Sequence, residues 1–402
     1  MTTETHSSLS VTTVASITEV PAKDWDPLAP RDPMASHGWL RLIEEEAISG
    51  IETRYVLVHK EEDLIAAAPC YICHEASQLL DPDVLMYGRF RSLPAAFRLS
   101  FVPSMFVGPF GSNGPIRSNS SNLLVSDDLD IAERHTALSR LLTATVAVAR
   151  SNDLPLHFPR IRQDDDETRR LLRERNCYKT RDFPLCYLDV EWDDFEGYLR
   201  HLGSVSRRMQ RNVRHEKNRF RKSGVVIEVI ENPAAHAARL WELANDHSRR
   251  LNGVPLPYSA RFLTRLKKQL GDDAVFYGAF QDRQLIGFVI LLKRGGTAYL
   301  ILTGIDRRWT GYEAIYFNLC YYRPIQDAIS EGMKRLYFGG TLYRTKVRRG
   351  CRIMALDHCY LGASPAWHAA MKPWFVFHAA WMGHRSAALE DLDRLRRHRS
   401  EG

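Results

Sequence analysis

Between Thr297 and Gly350 the chain spells a strand, a glycine turn, a long helix and a second strand, and this order constrains the fold more than any other feature. The run Thr297 to Leu302 is apolar and aromatic, as a buried strand should be. It stops at Gly304-Ile305-Asp306 and the basic turn Arg307-Arg308-Trp309-Thr310-Gly311. From Glu313 to Ser330 the residues Ile315, Leu319, Tyr322, Ile325, Ala328 and Ile329 fall at helical spacing, which predicts one buried face. Gly332 ends that helix, and Leu336-Tyr337-Phe338 reads as the next strand. A glycine turn feeding a helix presents unpaired backbone N–H groups and the positive end of the helix dipole, a setting that can hold phosphate.

This arrangement resembles the GNAT superfamily, and the run LCYYRPIQDAISEGMKRLYFGG followed by TKVRRG is similar to its branch of Fem-type aminoacyltransferases and related acyltransferases of peptidoglycan biosynthesis. The resemblance implies an α/β (α+β) fold of tandem GNAT-like domains, each a mixed twisted sheet flanked by helices. It also implies N-acyl transfer from a phosphate-bearing donor, either aminoacyl-tRNA or acyl-CoA, with no tightly bound cofactor. Acetyl-CoA enzymes of the superfamily carry a pyrophosphate loop Q/R-x-x-G-x-G/A at this turn. Here Arg308-Trp309-Thr310-Gly311-Tyr312-Glu313 keeps the arginine and first glycine but puts Glu313 where a small residue is expected. A carboxylate there crowds and repels a pyrophosphate, which favours a donor other than acetyl-CoA.

The resemblance assigns donor contacts to Arg307, Arg308, Gly311, Tyr316, Lys346 and Arg349. Lys346 resembles the lysine of the Phe-Lys motif near the donor ester, although Thr345 precedes it here. A cation at that point can stabilise a developing oxyanion or hold a phosphate; a solvated loop with Arg348 and Arg349 is the alternative. Asp306 and Glu313 are the nearest carboxylates able to take a proton from the incoming amine, or else a helix cap and a partner of Arg307 and Arg308. Asp246 to Gly253 reads as a loop facing the acceptor, with His247 as a base or a structural histidine. Tyr299, Tyr316, Tyr321 and Tyr322 line either an acyl pocket or the core. No G-x-S-x-G elbow suggests a covalent intermediate, and direct transfer to an amine needs none.

Phe195 to Lys222 predicts a basic helix with Tyr198, Leu202, Val205, Met209, Val213 and Phe220 on one stripe. Arg207, Arg208, Arg211, Arg214 and Lys217 lie around it, and Glu216 is the one acid from Val205 onward. It is either a solvated surface whose stems cover the domain or a surface for a polyanion such as tRNA. No interleaved aromatic platform supports base-specific reading. The net charge of +7 permits an anionic partner without demanding one.

At 402 residues the chain is long enough for two domains. We expect a disordered tail over 1–16, an N-terminal GNAT-like domain over 17–191, a C-terminal acyltransferase domain over 192–385 and a basic tail over 386–402. Two segments share one grammar, a helix and two strands around a charged turn: Gly38 to Cys73 and Arg261 to Leu292. Leu64-Ile65-Ala66 and Leu285-Ile286-Gly287 follow the two turns, which suggests an internal duplication, or a chance likeness of two hairpins. Between them come the Pro/Gly/Ser-rich stretch Ser100 to Ser121, a helix Ile131 to Ser151, a strand Leu156 to Phe158, a helix Arg160 to Asn176 and a strand Tyr187 to Val190.

Seven scattered cysteines make no disulfide framework. Cys70-Tyr71-Ile72-Cys73-His74 has c-type haem spacing, yet a strand sends the two cysteines to opposite faces, so neither haem nor metal is expected. No signal peptide and no membrane-spanning run are evident, which leads us to expect a cytoplasmic protein. The favoured expectation is transfer of an aminoacyl group from aminoacyl-tRNA to an amine of a small molecule or cell-wall precursor. Acyl-CoA-dependent N-acetylation and a non-catalytic binding module remain open.

Overall fold

The structure, a computed structural model, describes residues 9–46, 51–74, 102–109, 122–256, 258–309 and 311–397. The chain forms two compact units, Met1–Phe183 with Ala355–Ser386, and Pro184–Met354 with Ala387–Gly402. The expected boundary near Trp192 thus falls past the observed crossing, and residues 355–386 return to the first unit.

In the first unit β1 (Leu9–Val14) is followed by α1 (Ala22–Trp25), α2 (His37–Glu46), β2 (Ile51–Lys60), β3 (Asp63–Cys73), β4 (Ser104–Val107) and the short β5 (Leu124–Val125). Then come α3 (Ile131–Ser151), β6 (Leu156–Arg162), α4 (Asp166–Glu174) and β7 (Tyr178–Asp189), in which the chain passes to the second unit. The expected tail over 1–16 is corrected here: Leu9–Val14 pairs antiparallel with β2 over its whole length, because its β-branched residues suit a half-buried edge. Arg160 to Arg162 belong to β6, so the helix expected from Arg160 starts only at Asp166, capped by the Asp165 side chain.

The second unit continues with α5 (Phe195–Val205), α6 (Arg207–Arg221), β8 (Val226–Val229), α7 (Ala237–Asn252), α8 (Ala260–Leu270), β9 (Ala274–Gln281), β10 (Gln284–Arg294) and β11 (Thr297–Ile305). The basic segment is two helices rather than one. Ser206 is extended, and its hydroxyl accepts the Met209 N–H to start α6, a local bond that competes with helix continuation. After β11 come α9 (Tyr312–Phe317), a π-helical turn Asn318–Tyr322, α10 (Arg323–Ser330), β12 (Arg335–Gly339) and α11 (Tyr343–Arg348). Pro324 cannot donate to the Cys320 carbonyl, and the wider π turn directly precedes it. Finally β13 (Arg352–Leu361) carries the chain back to the first unit, and α12 (Pro365–Arg397) follows.

The sheet order is β1-β2-β3-β4-β6-β13 in the first unit and β7-β12-β11-β10-β9-β8 in the second. Both repeat one plan. A hairpin (β2–β3; β9–β10) adds a third antiparallel strand (β4; β11), a helical crossover follows, and the next strand (β6; β12) lies parallel to the third. The suspected duplication is therefore a duplication of topology. The first core gathers Val56, Ala68, Met105, Leu141, Phe158 and Leu171. The second gathers Tyr198, Leu202, Val213, Val289, Ile315, Leu319 and Leu336. The second core contains the stripes predicted for the basic segment and the helix after the glycine turn, except that Val205 is not part of it and Phe220 and Ile329 pack only against its edge. Within the loop expected over Ser100 to Ser121, Ser104–Val107 is strand, and 110–121 lie outside the described residues.

Candidate functional site

Strands β11 and β12 run parallel for only three register pairs, Thr297↔Arg335, Ala298↔Leu336 and Tyr299↔Tyr337, and then part. Tyr299 and Tyr337 stack at 4.5 Å where pairing ends. Beyond them β12 keeps β7 on one side, through Gly339↔Cys186, but has no β11 partner on the other, and a buried acceptor there must find another donor. Lys346 supplies it. The residue is 4% exposed, and its Nζ donates to the carbonyls of Phe338 and Gly339. The lysine stands on α11, which starts after Leu342 in the left-handed region (φ 53°). It is a buried cation at the mouth of the gap, not part of a solvated loop.

The helical run after Gly311 covers this gap. Thr303 Oγ1 donates to Phe288 O at 2.7 Å and shares a hydrogen bond of 3.3 Å with Cys320 Sγ. Tyr321 stacks on Phe338 at 5.1 Å, and Tyr316 meets Tyr321 edge-on at 5.8 Å. Tyr321 and Tyr322 are buried in the core and Tyr316 is half-buried. Gly311 is left-handed (φ 85°) and begins α9, with no atom within 4 Å of where a side chain would start.

At the other lip of the gap α7 lies directly on β11. A Cβ on Gly304 would come within 2.4 Å of the Leu243 backbone, so only glycine allows this approach. The contact brings Arg239 to Asp306 (2.8 Å), and Arg308 closes on the same carboxylate at 2.6 Å. The Arg308 hydrogen bonds, with Arg239 adding to them, hold the Asp306 carboxyl far below the usual carboxylate range. Asp306 is thus a fixed anion rather than a base, which corrects the expectation for it. Arg239 carried no sequence signal, being 67 positions away from Asp306.

Asp246 to Asn252 form the last turns of α7, with left-handed Gly253 closing the helix, and so are not the loop expected. His247 is half-buried, and burial, with Arg250 and Arg307 nearby, lowers its pKa to about 4. It is neutral at pH 7 and a weak base. Arg307 is exposed and stacks over the Tyr312 ring at 4.9 Å, and Glu313 is exposed in the first turn of α9.

Arg349, expected at the donor, is 4% exposed. Its guanidinium pairs with Glu216 at 2.8 Å, donates to Tyr322 Oη at 3.1 Å and lies 3.5 Å over the Phe317 ring. The expectation of a presented anion contact is corrected to that of a buried strut joining α6 to the π turn. Glu216 is the residue missed, and its signal was being the one acid in a basic helix.

Of the polyanion candidates on α6, Arg207, Arg208 and Arg211 are exposed. Arg214 pairs with Glu196 at 2.9 Å, and Lys217 sits 4.2 Å over the Phe195 ring. Among the described residues there is no cluster fit to hold a metal, and no helix is long and apolar enough to cross a membrane. Cys70 and Cys73 are buried in β3.

The FemAB-like family, described as peptidoglycan biosynthesis and recognition, matches residues 16–396. The chain belongs to this family. Among solved structures, FemX aligns over 89% of this chain and 98% of its own at 12% identity and a TM-score of 0.59. The C-terminal domain of a putative lysylphosphatidylglycerol synthetase from Agrobacterium fabrum aligns over 89% and 97% at 11% identity and 0.53. L-PGS from Bacillus licheniformis aligns over 88% and 98% at 10% identity and 0.50. Identities this low establish the fold alone, two units that repeat one α/β plan. No curated protein sequence matches the chain.

Proposed function

We propose that this FemAB-like chain is an N-acyltransferase whose second unit holds an acyl donor between β11 and β12, and that the donor is aminoacyl-tRNA. The observation that carries the proposal is the parting of two parallel strands around the buried Lys346 ammonium. Transfer to an amine forms the new C–N bond at the donor carbonyl, passes through an oxyanion and expels the ribose hydroxyl of the tRNA terminus. Lys346 lowers the energy of the oxyanion by its charge, most effectively where water is excluded. The incoming nitrogen must lose a proton, and neutral His247 near the end of α7 and exposed Glu313 in the first turn of α9 are the groups that can take it. Asp306 does not take it; it fixes Arg308 and Arg239 at the lip.

The tRNA part rests on Arg207, Arg208 and Arg211, an exposed positive surface suited to a phosphate backbone. The family's description supports a cell-wall precursor as the amine acceptor. The rival donor is acyl-CoA, for which Arg308 and the open Gly311 turn remain suited. A non-catalytic binding module would use Lys346 only as a backbone cap. Filter binding of charged tRNA in competition with acetyl-CoA over a salt series separates the donors. Salt-sensitive tRNA retention that acetyl-CoA does not disturb supports the proposal; saturable acetyl-CoA binding without tRNA retention overturns it.

A further inference from the structure

The first unit repeats the parting of parallel strands, and the gap is filled differently. β4 and β6 pair only at Met105↔Leu156 and Phe106↔His157. Where they part, the Asn122 amide donates to Val107 O (2.7 Å) and Pro159 O (2.9 Å), one carbonyl from each strand. Beside it the register between β6 and β13 jumps from Ile161↔Asp357 to Phe158↔Cys359. This bulge throws Arg160 into the left-handed region (φ 60°) and re-aims its side chain.

Arg160 is 8% exposed, and Asp182, close enough to act on it electrostatically, is 4% exposed. Two buried opposite charges are expected to close into a hydrogen-bonded pair, since each alone is costly. They do not close. Arg160 Nε and Nη2, Asp182 Oδ2 and Asn122 Oδ1 all lack a hydrogen-bond partner among the described residues. Burial raises the Asp182 carboxyl above its ordinary range, against the opposing pull of the Arg160 charge and of the backbone N–H groups of Phe183 and Arg160. Asp357, fully buried, pairs through Oδ1 with Arg181 at 2.9 Å; its Oδ2 also lacks a hydrogen-bond partner, and its charge adds to the raising of Asp182. Unpaired donors and unpaired acceptors held together under cover match a ligand that carries both charges.

We propose that this gap in the first unit binds a small zwitterion with a carboxylate and an ammonium group, the chemistry of a free α-amino acid. Arg160 takes the carboxylate through Nε and Nη2, the ammonium donates to Asp182 Oδ2, and Asn122 Oδ1 accepts a further N–H. The site is separate from the acyl-transfer site of the second unit and stands without it.

The test is calorimetric titration of the full chain with glycine and alanine, against acetate, inorganic phosphate and methylammonium at matched ionic strength. We expect saturable binding of a zwitterion at least tenfold tighter than either half-molecule. Arg160→Lys keeps the charge but loses the planar fork, and Asp182→Asn keeps the shape but loses the charge; each should weaken binding tenfold or more with unchanged circular dichroism. If Arg160→Lys does not fold, Asp182→Asn alone carries the test. Acetate or phosphate binding as tightly as glycine would make this a general anion site and overturn the assignment. So would the absence of any saturable binding by the folded protein, which would leave water as the only occupant.

Discussion

Lys346 and Asp306 show what a residue's neighbours do to a role read from sequence. The lysine was found through its resemblance to a motif, and its burial against two freed carbonyls could not be read there, because the parting of β11 from β12 is a tertiary fact. Asp306 sat in the right turn, but Arg308 beside it, joined by Arg239 from a helix far back in the chain, holds it as an anion. Replacing Lys346 with Met should abolish transfer while leaving donor binding within a few-fold; transfer that persists at the wild-type rate would make the lysine a backbone cap only. The buried His157 gives a pH prediction. It shares a 3.0 Å hydrogen bond with His358, and burial lowers its pKa to about 3. Below the unfolded value of about 6.5 the unfolded chain gains a proton that the folded chain refuses, so stability must fall as pH drops from there toward 3, by about 1.4 kcal/mol per unit for this group. Urea titrations at pH 7 and pH 5 should show the loss, and His157→Phe should make it smaller by this group's share, with His358 and His247, whose pKa values are also lowered by burial, keeping the rest.

At the scale of elements, periodicity was legible wherever one face meets a core, as in α3, and became illegible where a local bond overrides it. The Ser206 cap splits a continuous basic pattern into α5 and α6, and the π turn before Pro324 leaves the apolar spacing of the next helix nearly unchanged. Glu216 ties these two irregular elements together through Arg349. Glu216→Gln leaves a guanidinium buried without its anion, and should cost about 3–5 kcal/mol in chemical denaturation. The double variant Glu216→Leu with Arg349→Met removes both charges and should recover most of that loss; no recovery would show that the ion pair itself, not its burial, sets the stability. Gly304→Ala puts a methyl into the Leu243 backbone and should cost about 3 kcal/mol, read as a lowered midpoint, since neither α7 nor β11 can give way.

For the whole molecule, the duplicated plan was visible in sequence only at its two hairpins. The crossovers and parallel strands that complete it differ too much in length and composition: α3 is one 21-residue helix, whereas its counterpart is broken by the π turn. The place where the chain crosses between units was illegible because it lies within β7, in an uninterrupted strand. The net charge of +7 likewise says nothing of where a polyanion would settle, and two accounts of tRNA binding differ on that point. If contact is local to α6, changing Arg207, Arg208 and Arg211 together to Gln removes up to three phosphate contacts. The slope of log K against log salt should then become shallower by about 2–3. If the field of the whole chain attracts the ligand, the same three charges removed elsewhere must act equally. Arg140, Arg150 and Arg173 are exposed on α3 and α4 of the first unit and serve as that control. Both triple variants lower the net charge by the same amount, so a shallower slope in the α6 variant alone assigns the contact to that helix. Equal slopes in the two would reduce the basic helix to a solvated surface and withdraw the main support for tRNA as donor.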